Sequence, residues 1–295
     1  MSQHRVAAVA AGNPLARRAL TAGTYAVLAV FAGLTLTPFL YLLTSALKTR
    51  ETFFRGVFLP RGKGFLGVDW DGVTLDNFAR LADVGMGRAL ANSVFLASAT
   101  ALLATLCCAA GGYALACFEF RGRRWATGLV LAALLIPAPL LLAPGYQWLF
   151  RLGLLDTHAG LILPALAPAF GVFLFRQAAL QSVPREMLQA ARLDGCGEVG
   201  LFFTFVLPML RPMAGAFLMI TFLATWNNFI GPQIVLQSPD KQPLSVAVAQ
   251  LRGLYATDFG LLMAGTLLSV APVAALFLLM QREFLSGLTS GAVKG

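Results

Sequence analysis

Six long apolar runs, none carrying an Asp, Glu, Lys or Arg, limit what this chain can fold into. They cover 19–47, 89–117, 125–150, 159–175, 212–236 and 259–280. A helix needs about 20 apolar residues to cross about 30 Å of hydrocarbon. In that solvent every backbone N–H and C=O needs an internal partner, which selects helices over irregular chain. The runs therefore predict an all-α integral membrane protein with six transmembrane helices. Composition agrees, because only 12% of the residues are charged, about half the share in soluble domains.

Charge placement gives the topology. The first run follows Arg5, Arg17 and Arg18, as a signal peptide would. It is far longer than a signal peptide's apolar region and lacks a convincing small-residue cleavage site, so it reads as an uncleaved first span. With the N-terminus inside, the inner segments hold twelve of the 22 Lys and Arg residues. Seven of the other ten lie in the long 48–88 segment, and the shorter outer loops hold only Arg151, Lys241 and Arg252. That bias puts both termini in the cytoplasm. The expected organisation is a cytoplasmic segment 1–18, a membrane domain 19–281 and a cytoplasmic tail 282–295. Segment 48–88 lies outside, with short helices or turns, and 181–208 forms a cytoplasmic loop. The net charge of +9 flanks apolar runs, so it points to the lipid bilayer and not to nucleic acid.

Several chemistries are missing. Cys107, Cys108, Cys117 and Cys196 form no C-x-x-C pair, and His4 and His158 are far apart, so no metal site is expected. The stretch "RGKGFLG" lacks P-loop spacing and its Ser or Thr, so this chain should not bind ATP in that way. No nucleophile pairs with a plausible base. The spans hold no Asp, Glu or His to carry a coupled proton; a sodium site of backbone carbonyls stays open.

The polar groups within the spans are neutral. In "FLMITFLATWNNFIGPQIVL", Thr221, Thr225 and Asn228 share a helical face, Trp226 offers an aromatic plane and one N–H, and Asn227 points elsewhere. Gly231-Pro232 should distort the helix just beyond. Asn92 stands near the outer end of the second run, and Gln147 in the proline-rich third. Such groups suit an uncharged, hydroxyl-rich ligand, and equally suit hydrogen bonds between helices. Pro137, Pro139, Pro144 and Pro272 should kink helices, either to line a cavity or for packing.

The cytoplasmic block "SVPREMLQAARLDGCGEVGLFFTFVLP" reads as a helical hairpin. Pro184 fits a first turn, Glu186 suits the positive end of the dipole, and Gly195 is a natural stop. Met187, Ala190 and Ala191 share a face that another protein can approach closely. A second helix should start near Gly197 or Glu198, carry Leu201, Phe202 and Phe205, and end before Pro208. Its aromatic face suits either a partner or the chain's own core.

The block resembles the EAA loop of bacterial ABC-importer permeases, patterned E-A-A-x3-G-x9-I-x-L-P. Here the series is Gln189, Ala190, Ala191, Gly195, Phe205, Leu207 and Pro208. Gln replaces the namesake Glu, and Phe replaces Ile; Glu186 stands one turn earlier. The tail "LSGLTSGAVKG" and "TWNNFIGPQIVLQSPDKQPLSVAV" are similar to the carbohydrate-uptake branch, specifically its maltose-type second permease. Members often carry Asp or Glu where Asn228 stands.

The resemblance implies a non-catalytic subunit in a bacterial cytoplasmic membrane. A second permease subunit, two cytosolic ATPase subunits and an extracytoplasmic sugar-binding protein would complete it. ATP and Mg would sit on the ATPases, with no cofactor in this chain. Coupling would fall to Glu186, Gln189, Ala190, Ala191, Asp194, Gly195, Phe202, Phe205, Leu207 and Pro208. The substrate path would use Asn92, Gln147, Thr225, Trp226, Asn227 and Asn228. Tail contacts would use Gly287, Thr289 and Lys294. Two alternatives stay open on residues alone: a permease for glycerol phosphate or a polyamine, or an ion-coupled carrier.

Overall fold

The computed structural model describes residues 14–252 and 258–290, and side chains over 18–252 and 258–278. Among these, all regular structure is helical; two isolated bridges, Lys48 with Val73 and Arg61 with Val68, tie the segment 48–88. The chain divides into two units, the first ending at Arg80 and regaining the start of the last helix as far as Leu267.

In the first unit, α1 (Pro14–Ala46) is a single helix with Pro38 inside it. Thr24, Thr35, Thr37 and Thr44 donate their hydroxyls to carbonyls four residues earlier. This hides polar atoms on a helix whose side chains are otherwise apolar and exposed. Two 3-10 turns, Phe65–Gly67 and Trp70–Gly72, lead to α2 (Asp76–Asp83). That matches the expectation of short helices and turns. Lys48 organises the segment. It is 1% exposed, and its Nζ donates to the carbonyls of Gly56 (2.7 Å) and Val57 (2.8 Å), with the rings of Tyr41 and Phe53 beside it. Burial lowers its pKa, because desolvation disfavours the charged form.

The second unit is built on α3 (Met86–Cys117). Much of its buried face is small, with Ala97, Ala101, Ala104, Ala109, Gly112 and Ala116 beside the larger Leu96, Tyr113 and Leu115. In lipid, helices gain little by burying apolar area against one another, so close van der Waals contact must hold them. Gly112 illustrates it: a Cβ there would lie 2.6 Å from the backbone N of Arg176 and from Cβ of Phe175. Those two residues belong to α7 (Ala169–Ser182).

Between them run α4 (Arg123–Ala133), a 3-10 turn at Ala138–Leu141, α5 (Leu142–Arg151), and α6 (His158–Ile162) with its 3-10 extension Leu163–Ala165. The hairpin expected over 181–208 holds α8 (Arg185–Leu193) and α9 (Glu198–Leu201). The remaining helices are α10 (Arg211–Trp226), α11 (Ile230–Val235), α12 (Leu244–Gln250) and α13 (Phe259–Ser290).

Among the described residues, only α1, α3 and α13 are unbroken and long enough to cross alone. The third run bends by 103° between Ala133 and Ala138, at Pro137 and Pro139. The α6–α7 pair bends by 41° just before Ala169. Helix α10 meets the preceding segment Glu198–Met209 at 81°. Counting each bent pair as one span gives six. The fifth run, expected over 212–236, is interrupted: α10 ends at Trp226 and α11 starts at Ile230. Pro232 explains the position. Lacking an N–H, proline is best accommodated in a helix's first turn, so the break falls before it.

Candidate functional site

The α8–α9 hairpin folds much as its residues dictate. Pro184 caps α8 with extended backbone; Glu186 lies in the first turn and Arg192 in the last, complementing the dipole. Leu188 and Ala191 turn inward and are buried, whereas Gln189 and Ala190 are exposed. The expected face of Met187, Ala190 and Ala191 is therefore divided: Ala191 packs on the chain's own core and Ala190 faces out.

Asp194 ends the helix, and Gly195 follows at φ +83°, the left-handed region where other residues are strained. Gly195 N–H donates to Arg192 O (3.1 Å) and Cys196 N–H to Ala191 O (3.0 Å). These are the paired bonds of a Schellman stop, which satisfy carbonyls a helix end leaves open.

A fork then closes the hairpin. Arg192 Nε donates to Glu198 Oε1 at 2.7 Å and Nη2 to Oε2 at 3.2 Å. Tyr113 Oη of α3 donates to the same Oε2 at 3.4 Å, and the Arg192 guanidinium lies 5.9 Å from the Phe118 ring centre. Hydrogen bonds from Arg192 hold the Glu198 carboxyl below its usual range and push the Arg192 pKa up. Sequence reading missed this fork, since its members are joined only across a chain reversal. A groove of about 660 Å³ opens beside it, lined by Arg185, Gln189, Arg192, Glu119 and Glu198 among others.

The second helix of the hairpin does not end before Pro208. It passes through a π-helical turn, Phe202–Val206, into Leu207–Met209. Leu207 N–H reaches back five residues to Phe202 O. The aromatic face is mostly inward: Phe202 is buried, Phe205 and Leu207 pack on the core cluster, and Phe203 remains 55% exposed.

The proposed path residues separate by their hydrogen bonds. Asn92 Nδ2 donates to the carbonyls of Asp240 (2.9 Å) and Gln242 (3.1 Å), tying α3 to the turn at Pro239–Lys241. Trp226 is 5% exposed, stacks on Phe222 and donates its indole N–H to Ser269 O. Asn227 Nδ2 turns back to Leu223 O in its own helix. Gln147 stands exposed on α5. Thr225 and Asn228 come together in a small cavity with Ser93 and Thr100 of α3. Thr100 was not singled out from sequence, where it resembles any other threonine in an apolar run. Of the tail residues, Gly287 and Thr289 fall where α13 is traced without side-chain description, and Lys294 lies outside the described residues.

Elsewhere, Asp156 (φ +56°) knots two loops. It accepts from the Ser238 hydroxyl and N–H, the Lys241 ammonium (2.9 Å) and Gln237 N–H. These bonds hold its carboxyl far below the ordinary range, with Ser238 the first cause. Among the described residues, no cluster of His, Cys, Asp and Glu is suited to a metal.

The profile of a protein family described as a binding-protein-dependent transport system inner membrane component matches residues 108–285, which takes in α7, the hairpin and α10 to α12. This chain belongs to that family. It is thus a transport component and a multi-pass inner-membrane protein. As a family member it is 39% identical, over 225 residues, to an arabinooligosaccharide transport system permease of Halalkalibacterium halodurans, covering 76% of this chain and 80% of the relative. It is 32% identical to a lactose transport system permease of Rhizobium radiobacter over 271 residues, 92% and 95% of the two chains. A crystal structure of a bacterial ABC transporter importing the acidic polysaccharide alginate superposes with a TM-score of 0.76 at 19% identity, covering 90% of this chain and 97% of that one. That likeness establishes the fold.

Proposed function

We propose that this chain is the membrane permease subunit of an ATP-driven importer that moves a sugar or oligosaccharide into the cytoplasm by alternating access. The carrying observation is the similarity to arabinooligosaccharide and lactose permeases over three quarters or more of the chain. Spans without charged residues support an uncharged cargo.

The partners in this reading are a second permease, two cytosolic ATPases and an extracytoplasmic binding protein that delivers the sugar. ATP and Mg belong to the ATPases, and this chain contributes no catalytic residue. The α8–α9 hairpin is the ATPase contact: Gln189 and Ala190 present its outer face, and Glu186, Asp194 and Gly195 shape its ends. Gln189 removes the carboxylate the family usually offers, so docking rests on shape and on Glu186. Both termini lie in the cytoplasm.

The test is reconstitution of the complete complex in proteoliposomes with its binding protein. ATP-dependent uptake of radiolabelled arabinotriose, lactose or raffinose is the expected result. Uptake of glycerol 3-phosphate and of none of these sugars overturns the reading, as does transport by this chain alone without ATP.

A further inference from the structure

We propose that the cavity beside the break after α10 is a subsite for one hydroxyl-bearing substituent of the transported sugar. The proposal rests on the sugar-importer reading above and assigns it a place in this chain. Ser93, Thr100, Thr225 and Asn228 provide the polar lining, and Leu96, Leu161 and Pro232 are among the apolar walls.

The hydrogen-bond inventory is the main argument. Thr100 is 1% exposed, yet its hydroxyl has no partner among the described residues. A helical threonine usually bonds back to a carbonyl one turn earlier, as Thr24, Thr35, Thr37, Thr44 and Thr266 all do in this chain. Thr100 does not, and a buried polar atom left unpaired is costly; Ser45 and Thr105 share that state among the described residues, but of the three Thr100 alone lines this cavity. Asn228 Oδ1 accepts from Gly231 N–H, which leaves the donor end of the amide unused. Ser93 Oγ accepts from Leu244 N–H at 2.7 Å and keeps its own hydrogen to give. The Thr225 hydroxyl has no partner among the described residues. Donors and acceptors are thus mixed, and all are neutral. A hydroxyl, which both gives and accepts, matches this set. An anion would meet no Lys or Arg in the lining, and a cation no carboxylate.

Size narrows the ligand further. The cavity volume is about 60 Å³, room for about two water-sized groups at ~30 Å³ each. A hydroxymethyl group or a ring hydroxyl enters; a whole sugar ring does not. Thr100 is also near the midpoint of α3, and Asn228 sits where the fifth span is unwound. Interrupted helices near mid-membrane are where transporters hold substrate against unwound backbone.

Water meets the same chemistry, so the test separates the two occupants. The complete complex is assayed for uptake of whichever of arabinotriose, lactose and raffinose it transports, and for the monodeoxy derivatives of that sugar. Thr100→Val and Asn228→Leu should slow uptake about three- to tenfold, the loss of a hydrogen bond or two, and Thr100→Ser should restore it. Wild type should handle one deoxy derivative worst, and Thr100→Val should no longer single it out. Retention of the second permease in pull-downs checks assembly; if Thr100→Val fails that check, Thr225→Val carries the same comparison. Unchanged uptake in the variants overturns the subsite alone. An equal loss for every derivative means water only, and also overturns it. Transport of glycerol 3-phosphate but no sugar overturns the importer reading beneath it.

Discussion

The α8–α9 hairpin and the break after α10 use polar groups in opposite ways. In the hairpin, the helix end is closed by two backbone bonds and the Arg192–Glu198 fork spans the turn. At the break, the buried Thr100 hydroxyl lacks a partner, and the half-exposed Thr225 hydroxyl and the exposed Asn228 amide nitrogen line the same cavity with no bond inside the described chain. A satisfied network fixes one geometry, whereas an unsatisfied one is ready for a visitor. The contrast fits an element that transmits force at one end of the molecule and a lining that accepts cargo nearer its middle.

Substitutions can break that contrast, and the largest effect is expected at Gly195. Proline there cannot adopt φ +83° and loses the N–H given to Arg192 O. ATP-driven uptake by the reconstituted complex should fall by more than about tenfold. Wild-type uptake would show that the hairpin's shape is not what couples transport. Ala190→Lys comes next. Ala190 is exposed and its helix should survive, so uptake should drop several-fold while the ATPases still hydrolyse ATP. Equal losses of hydrolysis and uptake would point instead to failed assembly.

The Arg192–Glu198 fork should have a moderate effect. Glu198→Gln removes a partly exposed pair, a class contributing about 0.2–1 kcal/mol. Amide exchange over 194–198 should quicken up to about fivefold. The pH dependence has a definite sign. Glu198 titrates below its ordinary value, so the fork's contribution is full at neutral pH and is lost as pH falls through that lowered pKa. Protection in wild type should stay flat from pH 7 to about 5 and decline only in stronger acid. A decline already at pH 6 would assign the sensitivity to another group. The smallest effect is expected for Trp226→Phe, which loses the bond to Ser269 O while keeping the ring stack. About 1 kcal/mol of stability and little transport should go. A large transport loss with unchanged stability would return Trp226 to the sugar path.

The hairpin was legible in the sequence because its signals are local. Gly195 and the Pro184 entry both act within one or two turns, whereas the inward turn of Leu188 and Ala191 depends on the core they meet and was not read. The spans were legible as apolar runs, but their bends were only partly so: Gly231-Pro232 announces a distortion, yet the break lies a few residues earlier, where Pro232 can start a new helix. The cavity was least legible. Asn92, Trp226 and Asn227 share their chemistry with Thr225 and Asn228, but the first three already donate to carbonyls. No residue's letter says whether its partner is already present. Thr100 makes the same point in reverse, because an unpartnered hydroxyl is defined by what the rest of the fold fails to bring to it.

The close seat of Gly112 has a mechanical consequence. Only Val183 and Pro184 separate α7 from α8, and both are extended, so the joint has almost no slack. Above it, at Gly112, α7 leaves α3 no room even for a methyl group. In the coupling role proposed above, a displacement of the hairpin would reach the helix that carries Ser93 and Thr100 through this contact.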